Sequence, residues 1–517
     1  MRALARVLGV VTSVSLIIPG APSASAADSV PLPAPVDSAA APATSAEDAR
    51  PDRLSAQLAA RLTGRRVEIL GERSETTTVW ANPDGTLTSA VATSEVRVRD
   101  NDGEWRDVDA TLSLRPDGVR PAVLPVDVRF SPGGAGELAR VGRDGRWLAL
   151  GWPGPLPVPV VSGTRAVYTG AASGADLVLD VTRHGFEQSL VLATRPAVAP
   201  VFSLPVTASP GLTVSLDGRG AIRATDASGQ VVVSGSAPVM YDATRDDAGA
   251  PARPVPLGVR LQGGRLVITP DPAFLSDPTV RYPVVLDPSA VLGRASDTFV
   301  ESGGSATTNF NSSTELRIGL RNTASGILTQ RAFLTFPTSS LAGKKIVDAE
   351  LKLWNYSSPN GCVGVSAFVN RVSGGWSPST VTWNTQPGVD TTSVSSSSQI
   401  YGATGCPANW LTFSGSGLVT TVQDWADQTA GSYGLRLHSG ESTGTTLGYR
   451  RLNSGEATSN TPVLTVTYDS YPSVVAGRAT EPCFTCGSPV EVTPRRRRCA
   501  APRRTRTARR CGSTSRC

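Results

Sequence analysis

The amino-acid sequence predicts an all-β protein, with a jelly-roll-like β-sandwich over residues 291–469 and a β-rich N-terminal domain over 51–288 before it. Two observations support this class. The chain contains 51 glycines and 40 prolines, and such a composition, with much Thr and Val and few Lys, favours strands and turns over helices. Short alternating apolar and polar segments also recur between turn signals. With 517 residues, the chain has room for two or three domains with their own cores.

The N-terminus has the pattern of a secretory signal peptide over residues 1–26. Arg2 and Arg6 come before an uncharged apolar run over 7–18, and the small residues Ala24 to Ala26 suit a cleavage site. No later apolar run of the sequence approaches the roughly 20 residues that a membrane helix needs. We therefore expect a secreted, extracellular protein that is released rather than inserted into a membrane.

A linker and a short helix are predicted next. Residues 27–50 are rich in Ala, Pro and Ser with almost no large apolar side chain, so they cannot bury enough surface to offset chain entropy and are expected to be disordered. Leu54, Leu58 and Leu62 then recur at the spacing of one helix face. We expect this helix to end at Gly64.

The region up to residue 288 is predicted to consist of repeated β-hairpins. Turn signals divide it at Asn82–Gly85, Asn101–Gly103, Pro116–Gly118, Arg143–Gly145 and Leu216–Gly218. Asp-Gly pairs of this kind favour the tight turns that join antiparallel strands. The runs between them alternate or are wholly apolar, as expected for the outer and inner strands of a layered β-fold.

Several phrases in the second half of the chain occur in a recognisable order. They are Ser296–Glu301, Thr314–Gly319, Arg331–Phe336, Ala349–Trp354, Trp376–Asn384 and Tyr433–Leu437. Together they resemble the DNRLRE-type domain, a bacterial and archaeal module grouped with the carbohydrate-binding modules. The resemblance implies a β-sandwich and a carbohydrate ligand.

Two earlier phrases, Tyr168–Leu179 and Arg281–Pro288, are similar to the leader region of large secreted actinobacterial proteins. In those proteins the leader precedes a DNRLRE-type domain and then RHS-type repeats. The resemblance implies that this chain is the front part of a larger surface or export protein, and it implies no reaction.

Alternation along the sandwich strands predicts which aromatic side chains face away from the core. In 349–356 the apolar positions point inward, which leaves Trp354 and Tyr356 outside, and the same rule leaves Phe333 outside. Trp410 is a rim candidate. Because sugar rings stack on aromatic rings and their hydroxyls bind polar neighbours, these four residues are the predicted ligand-binding residues. The alternative is that loops or the preceding domain cover the rings.

The remaining tryptophans of the sandwich are predicted to be structural. Trp376 and Trp383 bracket a short Ser/Thr-rich segment. Trp425 shares one side of an amphipathic helical turn with Leu418 and Val422.

Cys362 and Cys406 lie inside the sandwich, each in a predicted turn. In an exported chain we expect them to form a disulfide that contributes roughly 3–4 kcal/mol, with free thiols as the alternative. The other cysteines are Cys483, Cys486, Cys499, Cys511 and Cys517. They include one Cys-x-x-Cys pair, without a second pair to complete a zinc site, and export disfavours thiolate ligands. We predict neither a metal site nor a cofactor, with structural calcium as an open alternative.

No catalytic constellation is found. The two histidines, His184 and His438, fall in different predicted domains, and no nucleophile elbow or zinc-protease motif accompanies them. We expect each to be a strand-end residue satisfied by neighbouring turns. Acidic residues recur near strand ends at Asp176, Asp180, Asp287 and Asp297. In β-rich chains such acids usually close turns, so they do not predict a glycosidase pair.

The C-terminal end changes composition abruptly. After a predicted linker over 470–493, residues 494–517 carry ten arginines and no acidic residue. Without those ten charges the net charge of +6 becomes −4. The basic balance therefore belongs to the tail, and the body gives no sign of a nucleic-acid partner. A sequence rich in Arg, Ala and Cys is typical of a GC-rich gene read out of frame, so we interpret the tail as the product of a frameshift and expect it to be disordered. The alternative is a basic arm that binds acidic polymers.

The leading hypothesis is a secreted, non-catalytic protein whose sandwich binds polysaccharide or cell-wall glycan, at the cell envelope or in its surroundings. A second hypothesis is a structural front segment of a truncated RHS-type surface or delivery protein. A third is a polysaccharide-degrading enzyme, whose active site would have to lie in 67–288.

Overall fold

The computed structural model describes residues 48–470, except 173, 247–249, 289, 293–295, 324–325 and 442–444, together with 479–480 and 484–485. Strands and turns make up most of this part of the chain, which confirms the predicted all-β class. The predicted signal peptide, most of both linkers and the arginine-rich tail lie outside the described residues. Among the described residues, no helix combines the length and apolar character needed to cross a bilayer.

The described helices are few and short. The α-helices are α1 Arg53–Thr63, α2 Pro272–Ser276 and α3 Ser416–Ala426. Short 3-10 helices span Leu70–Glu72, Gly303–Ser305, Ser339–Leu341, Trp383–Thr385 and Thr446–Gly448. Helix α1 begins after Asp52, whose carboxylate accepts from the Ser55 backbone N–H at 2.9 Å, and ends at Gly64, which has a φ of 69°. The predicted helix and its end are thus confirmed, because glycine tolerates the left-handed cap.

The first strands of the chain are β1 Ala49–Arg50, β2 Val67–Ile69, β3 Thr77–Ala81, β4 Leu87–Ala92, β5 Arg97–Arg99 and β6 Trp105–Asp107. Strands β1 to β4 lie side by side, with β1 and β2 parallel and the others antiparallel. Strands β5 and β6 form a separate hairpin.

The N-terminal β unit contains two sheets. Its strands are β7 Asp109–Arg115, β8 Gly118–Val123, β9 Asp127–Phe130, β10 Gly134–Arg143, β11 Arg146–Leu156, β12 Val160–Ser162, β13 Arg165–Ala172, β14 Ala175–Thr182, β15 Gly185–Leu192, β16 Phe202–Ala208, β17 Thr213–Leu216, β18 Ile222–Thr225, β19 Val231–Ser234, β20 Val239–Tyr241, β21 Val255–Pro256, β22 Gly258–Gln262, β23 Arg265–Thr269, β24 Val284–Asp287 and β25 Ala290–Leu292. One sheet has the order β22-β23-β16-β11-β10-β9-β8-β7, and the other β12-β13-β14-β15-β25-β19-β18-β17, with β20, β21 and β24 beside this path.

A single apolar core connects these two sheets. It includes Phe130, Leu150, Tyr168, Leu179 and Phe186, all at most 2% exposed. Where strands bury one face against another sheet, alternate side chains point into the shared core. The predicted layered β-fold before the sandwich is therefore confirmed.

The sandwich strands are β26 Asp297–Glu301, β27 Glu315–Thr323, β28 Gly326–Leu334, β29 Lys344–Ser357, β30 Ala367–Arg371, β31 Ser395–Ser397, β32 Asn409–Ser414, β33 Leu435–Ser439, β34 Arg450–Asn453 and β35 Val463–Ser470. The first sheet has the order β1-β2-β3-β4-β35-β29-β34-β27, with β32 on β29. The second has the order β27-β28-β33-β30-β31, with β26 on β28. Further on, β36 Ala479–Thr480 pairs with β37 Phe484–Thr485.

Strand β27 belongs to both sheets of the sandwich, and it changes sheet at Gly319. Residues 315–318 pair with β34, and residues 319–323 pair with β28. Gly319 has a φ of 97°, and a Cβ there would lie 2.5 Å from the carbonyl oxygen of Gly448. Only glycine can bend the strand this close to another backbone.

The predicted domain boundaries differ from the structure at the N-terminal side. Residues 51–92 were expected in the N-terminal domain, yet β4 pairs with β35 from Leu87 to Ala92. Val67, Val79 and Val91 belong to the same apolar core as Leu464. Strand β35 would otherwise be an exposed edge, and the added strands satisfy its backbone groups. The sandwich is therefore built from two separate parts of the chain.

Candidate functional site

Trp354 and Trp410 face each other across strands β29 and β32 on the outer side of the first sheet. They are directly paired in the antiparallel register, and their ring centroids lie 5.4 Å apart at 74°. Both rings are half-buried, whereas Leu351 and Leu353 on the opposite side are fully buried. The alternation that predicted Trp354 outside is thus observed, and an edge-to-face aromatic pair holds both rings in place.

Tyr356 continues the same row along β29 and is also half-buried. Its hydroxyl donates to the Glu315 carboxylate, and the Arg451 guanidinium lies 5.4 Å from the ring centroid. Arg451 also donates to Glu315 at 2.6 Å. The phenol is therefore fixed in one orientation, with its hydroxyl already occupied. We call Trp354, Tyr356 and Trp410 the aromatic face.

Burial and neighbouring charges shift the pKa values of Tyr356 and of its partner Glu315. Burial alone would raise the pKa of Glu315, but the charges of Arg317 and Arg451 and the hydrogen bond from Tyr356 hold the pKa of this carboxyl well below its usual range. Burial, followed by the Glu315 charge, raises the pKa of Tyr356 well above its usual value. Glu315 is thus a permanent anion and Tyr356 a neutral donor.

Polar side chains surround the aromatic face. Lys352 and Glu350, the next outward positions on β29, form an ion pair at 2.6 Å. Thr412 lies across from Lys352, and Thr465 lies across from Glu350. The surface therefore combines aromatic rings with hydroxyl and charged groups, which is the mixture that sugar recognition needs.

Phe333 does not belong to this surface, and the prediction that it is exposed is wrong. It lies on β28 in the second sheet and is 0% exposed. Its ring packs 5.5 Å from that of Trp376, in a small cluster with Val300, Val372 and Val381. Alternation does place Phe333 on the side away from the main core, but the segment after β30 folds over that side and covers it.

The tryptophans that cover Phe333 are held by polar contacts. Trp376 donates from Nε1 to the Tyr433 carbonyl at 2.7 Å. Arg331 lies 4.6 Å from the Trp383 ring centroid and pairs with Glu441 through two hydrogen bonds of 2.8 and 2.7 Å. Both tryptophans remain half-buried, so the segment that covers the second sheet also presents aromatic side chains partly to solvent.

The predicted disulfide between Cys362 and Cys406 is present, with a Cα–Cα distance of 5.7 Å. It joins the loop after β29 to the turn before β32. Strands β29 and β32 are the two that carry the aromatic face, so the disulfide ties their connecting loops together close to Trp410. This cross-link restricts the unfolded chain and supports the geometry of the face.

His184 is part of a buried ionic cluster that the sequence did not predict. It is 0% exposed and lies between two carboxylates: Nε2 is 2.7 Å from Glu95 and Nδ1 is 2.9 Å from Glu456. Both ring nitrogens must donate for both contacts to be favourable, so the imidazole is protonated. Burial alone would lower the pKa of His184, but Glu456 and Glu95 raise it to about 9.

The neighbouring Arg183 strengthens the same junction. It is 3% exposed and donates to the carbonyls of Ala457 and Thr458 at 3.0 Å and of Glu95 at 2.5 Å. The turn between β14 and β15 thus inserts into a socket formed by the segment after β4 and the segment after β34. The N-terminal β unit and the sandwich are joined there by buried charges, which are costly to separate.

The other candidate residues have structural contacts. Asp176 accepts from the Gly170 backbone N–H at 2.7 Å, and Asp180 pairs with Arg165 at 2.7 Å. Asp297 is buried near the socket, and burial raises its pKa to about 7. His438 lies in β33 and stacks on Phe368 with centroids 5.4 Å apart. Within the described ranges, no three His, Cys, Asp or Glu side chains are grouped so as to hold a metal ion.

The sandwich matches a known class of module. Residues 288–468, about a third of the chain, match the model of carbohydrate-binding module family 96. These bounds almost coincide with the sandwich predicted over 291–469. The chain therefore contains a carbohydrate-binding-module-like domain, and the aromatic face lies within it.

The chain is also similar to part of much longer bacterial proteins. The tRNA nuclease WapA of Bacillus subtilis strain 168 is 29% identical over 266 residues, which cover 48% of this chain and 11% of the relative. The tRNA3(Ser)-specific nuclease WapA of Bacillus spizizenii is 29% identical over 269 residues, again 48% of this chain and 11% of the relative. The matched part is therefore about a tenth of the length of these relatives.

Proposed function

We propose that this is a secreted, non-catalytic protein that binds polysaccharide through the aromatic face of its carbohydrate-binding-module-like domain, a domain of the DNRLRE type. The observation that carries the proposal is the paired, half-exposed Trp354 and Trp410 on an open sheet surface inside the matched region. Two rings fixed at 74° offer one face for stacking and one edge for lateral contact with a sugar chain.

The neighbouring groups support the same function. Lys352, Glu350 and Thr412 provide donors and acceptors at the margin of the rings. The aromatic face lies on a sheet and not in a deep cavity, which suits an extended polymer that is contacted from one side. Binding of this kind is polar and shallow, so we expect modest affinity at each site.

The N-terminal β unit orients the domain in this proposal. Its turn at Arg183 and His184 is inserted into the sandwich by buried ionic contacts, so the two units should move together. The glycan would be a cell-envelope or environmental polysaccharide.

A second candidate function rests on the length of the relatives. Because the WapA matches cover only 11% of those proteins, this chain would then be the front segment of a longer surface or delivery protein, of the RHS-associated kind. In that case the sandwich displays or spaces other domains and need not bind sugar.

Binding of the full chain to an array of neutral and acidic polysaccharides tests these functions. Trp354→Ala and Trp410→Ala should each reduce binding at least tenfold, or about 1.4 kcal/mol, because each removes one ring of the pair. Trp383→Ala is the matched control, since it alters a half-buried tryptophan in the 3-10 helix of the segment that covers the second sheet. Circular dichroism must show that all variants are folded.

The outcomes separate the hypotheses. Loss of binding in both face variants with retention in Trp383→Ala supports the proposal. Loss only in Trp383→Ala would move the site to the second sheet, and no binding by the folded wild type would favour the front-segment function. Release of reducing sugar ends from a bound polysaccharide would contradict the non-catalytic assignment.

A further inference from the structure

The N-terminal β unit is an insertion in the sandwich, and both of its chain connections pass the same buried cluster. Strands β1 to β4 and β26 to β35 build the sandwich, whereas β7 to β25 lie between them in the chain. The outgoing segment after β4 carries Glu95, and the returning strand β26 begins with Asp297. Each connection therefore brings one carboxyl group to the place where the two units meet.

A loop of the sandwich and a turn of the inserted unit complete this cluster. Gly455 donates its backbone N–H to Asp297 at 2.8 Å. The next residue, Glu456, accepts from Nδ1 of His184 at 2.9 Å, while Glu95 lies 2.7 Å from Nε2. Two arginines add further charge, one at the end of β10 and one in the same turn as the histidine. We call these charged residues the junction cluster: Glu95, Arg143, Arg183, His184, Asp297 and Glu456.

When its three acidic groups are ionised, the junction cluster is balanced in charge only while His184 carries its second proton. A neutral imidazole can donate to one carboxylate but not to two. Arg183, His184, Asp297 and Glu456 are at most 3% exposed, so water cannot replace the lost donor. An uncompensated charge in such a place is costly. Separation of the units removes this cost, because it exposes the carboxylates to water.

The apolar cores would survive such a separation. The core of the N-terminal β unit is built from residues within 110–286, and that of the sandwich from residues within 56–91 and 299–468. The two smaller apolar clusters of the described residues also lie within one unit each. The junction cluster thus joins two units that each have a core of their own.

A second polar contact between the units lies further along β27. Arg321 pairs with Asp246 at 2.5 Å and donates to the Pro251 carbonyl at 2.9 Å. An arginine keeps its charge at alkaline pH, unlike a histidine. We therefore expect this contact to persist when the junction cluster loses a proton.

We propose that the junction cluster is a pH-dependent latch. Alkaline pH removes the second proton of His184, the turn with Arg183 and His184 leaves its socket, and the two folded units swing apart about the Arg321 contact. Below the release pH the units form one body, and above it the sandwich is free to reorient. Any effect on the orientation of the aromatic face rests on the proposed function, whereas the latch itself does not.

The direction and size of the pH effect follow from His184. Burial would lower the pKa of this group, but Glu456 and Glu95, both on the sandwich side, raise it from 6.5 to about 9. The closed form is therefore fully favoured below pH 6.5 and loses this advantage as the pH rises to about 9. A difference of one in pKa is a factor of ten, so the ratio of open to closed molecules should rise roughly 300-fold. Burial raises the pKa of Asp297 to about 7, so its ionisation favours opening in the same direction.

Small-angle X-ray scattering of the full chain between about pH 6 and 10 tests the latch. The radius of gyration of the wild type should increase across the alkaline part of this range. Far-UV circular dichroism should stay constant, because both cores remain folded. His184→Gln should already be expanded at pH 7 and change little with pH, whereas His438→Gln, a histidine of β33 outside the cluster, should behave like the wild type.

A disulfide across the junction provides a locked control that does not alter the cluster. The hydroxyl oxygens of Ser236 and Ser312, one in each unit, lie 2.5 Å apart, so Ser236→Cys with Ser312→Cys should form a cross-link. To prevent mispairing, five cysteines are replaced by Ser: Cys483, Cys486, Cys499, Cys511 and Cys517. The oxidised variant should keep the compact radius at pH 10, and reductant should restore the expansion.

A wild type whose radius of gyration is the same at pH 6 and pH 10 would overturn the proposal. Expansion of the locked variant to the same extent, or expansion accompanied by loss of the circular dichroism signal, would also overturn it, since either would indicate unfolding instead of separation. A His184→Gln variant that expands at the same pH as the wild type would exclude His184 as the group that titrates. None of these readouts uses a sugar, so the latch and the proposed sugar binding can fail independently.

Discussion

Replacement of His184 by Gln should change how the stability of the protein depends on pH. In the folded chain His184 is held as an imidazolium by Glu456 and Glu95. Its pKa is raised from 6.5 to about 9 by these carboxylates, against the opposing effect of burial. Because the folded pKa is the higher one, the stabilisation is fully present below pH 6.5 and is lost as the pH rises to about 9.

The magnitude follows from that shift. At about 1.4 kcal/mol for each unit of pKa shift, the imidazolium contributes about 3 kcal/mol to the free energy of unfolding. The wild type loses this contribution as the pH rises from 6.5 to about 9. His184→Gln cannot carry the charge, so it should lack this decrease. The variant should also be less stable at neutral pH by about 3–5 kcal/mol, since the buried Glu456 loses the cation that it contacts, whereas Glu95 keeps Arg143 at 3.0 Å.

Urea denaturation at several pH values between about 6 and 10 measures both effects. Burial also raises the pKa of Glu187 to about 8, so in every variant the free energy of unfolding falls as the pH rises towards that value. The test is therefore how much more steeply the stability of the wild type falls than that of His184→Gln. His438→Gln is the control. Burial, together with Arg436, lowers the pKa of His438 to about 4, so His438 is neutral throughout the tested pH range. Its replacement should leave the pH dependence of the unfolding free energy as it is in the wild type.

A His184→Gln variant with the same slope as the wild type would refute this reasoning. It would show that the imidazole is neutral in the folded chain and that the carboxylates find their protons or partners elsewhere.

Three further predictions concern the sandwich. Phe333→Ala should lower the free energy of unfolding by about 3–5 kcal/mol, because it empties a fully buried position; a fully stable variant with weaker polysaccharide binding would instead make Phe333 a ligand contact. Replacing Cys362 and Cys406 by Ser should cost roughly 3–4 kcal/mol in denaturation without reductant, and an unchanged stability would argue against the disulfide. Gly319→Ala should destabilise by about 1–3 kcal/mol in thermal unfolding, since its Cβ would lie 2.5 Å from the Gly448 carbonyl oxygen; a neutral effect would show that strand β27 can bend without glycine.

Local patterns in the sequence were sufficient for the elements and for the direction of many side chains. The period of two over 349–356 correctly placed Trp354 and Tyr356 outside. The end of helix α1 at Gly64 and the amphipathic helix around Trp425 also followed from neighbouring residues. These features depend on the geometry of single strands and helices, which nearby residues specify.

The sequence by itself determined the all-β class, the sandwich and the sides to which the residues of 331–336 and 349–356 point. Only the tertiary structure decided what lies over each side: a distant loop covers Phe333, whereas Trp354 gains Trp410 as a partner and remains half-exposed. It alone revealed that His184 lies between Glu95 and Glu456, which are 89 and 272 positions away. The physical reason is that periodicity is a property of one segment, whereas burial and pairing are made by segments that meet only in the folded chain.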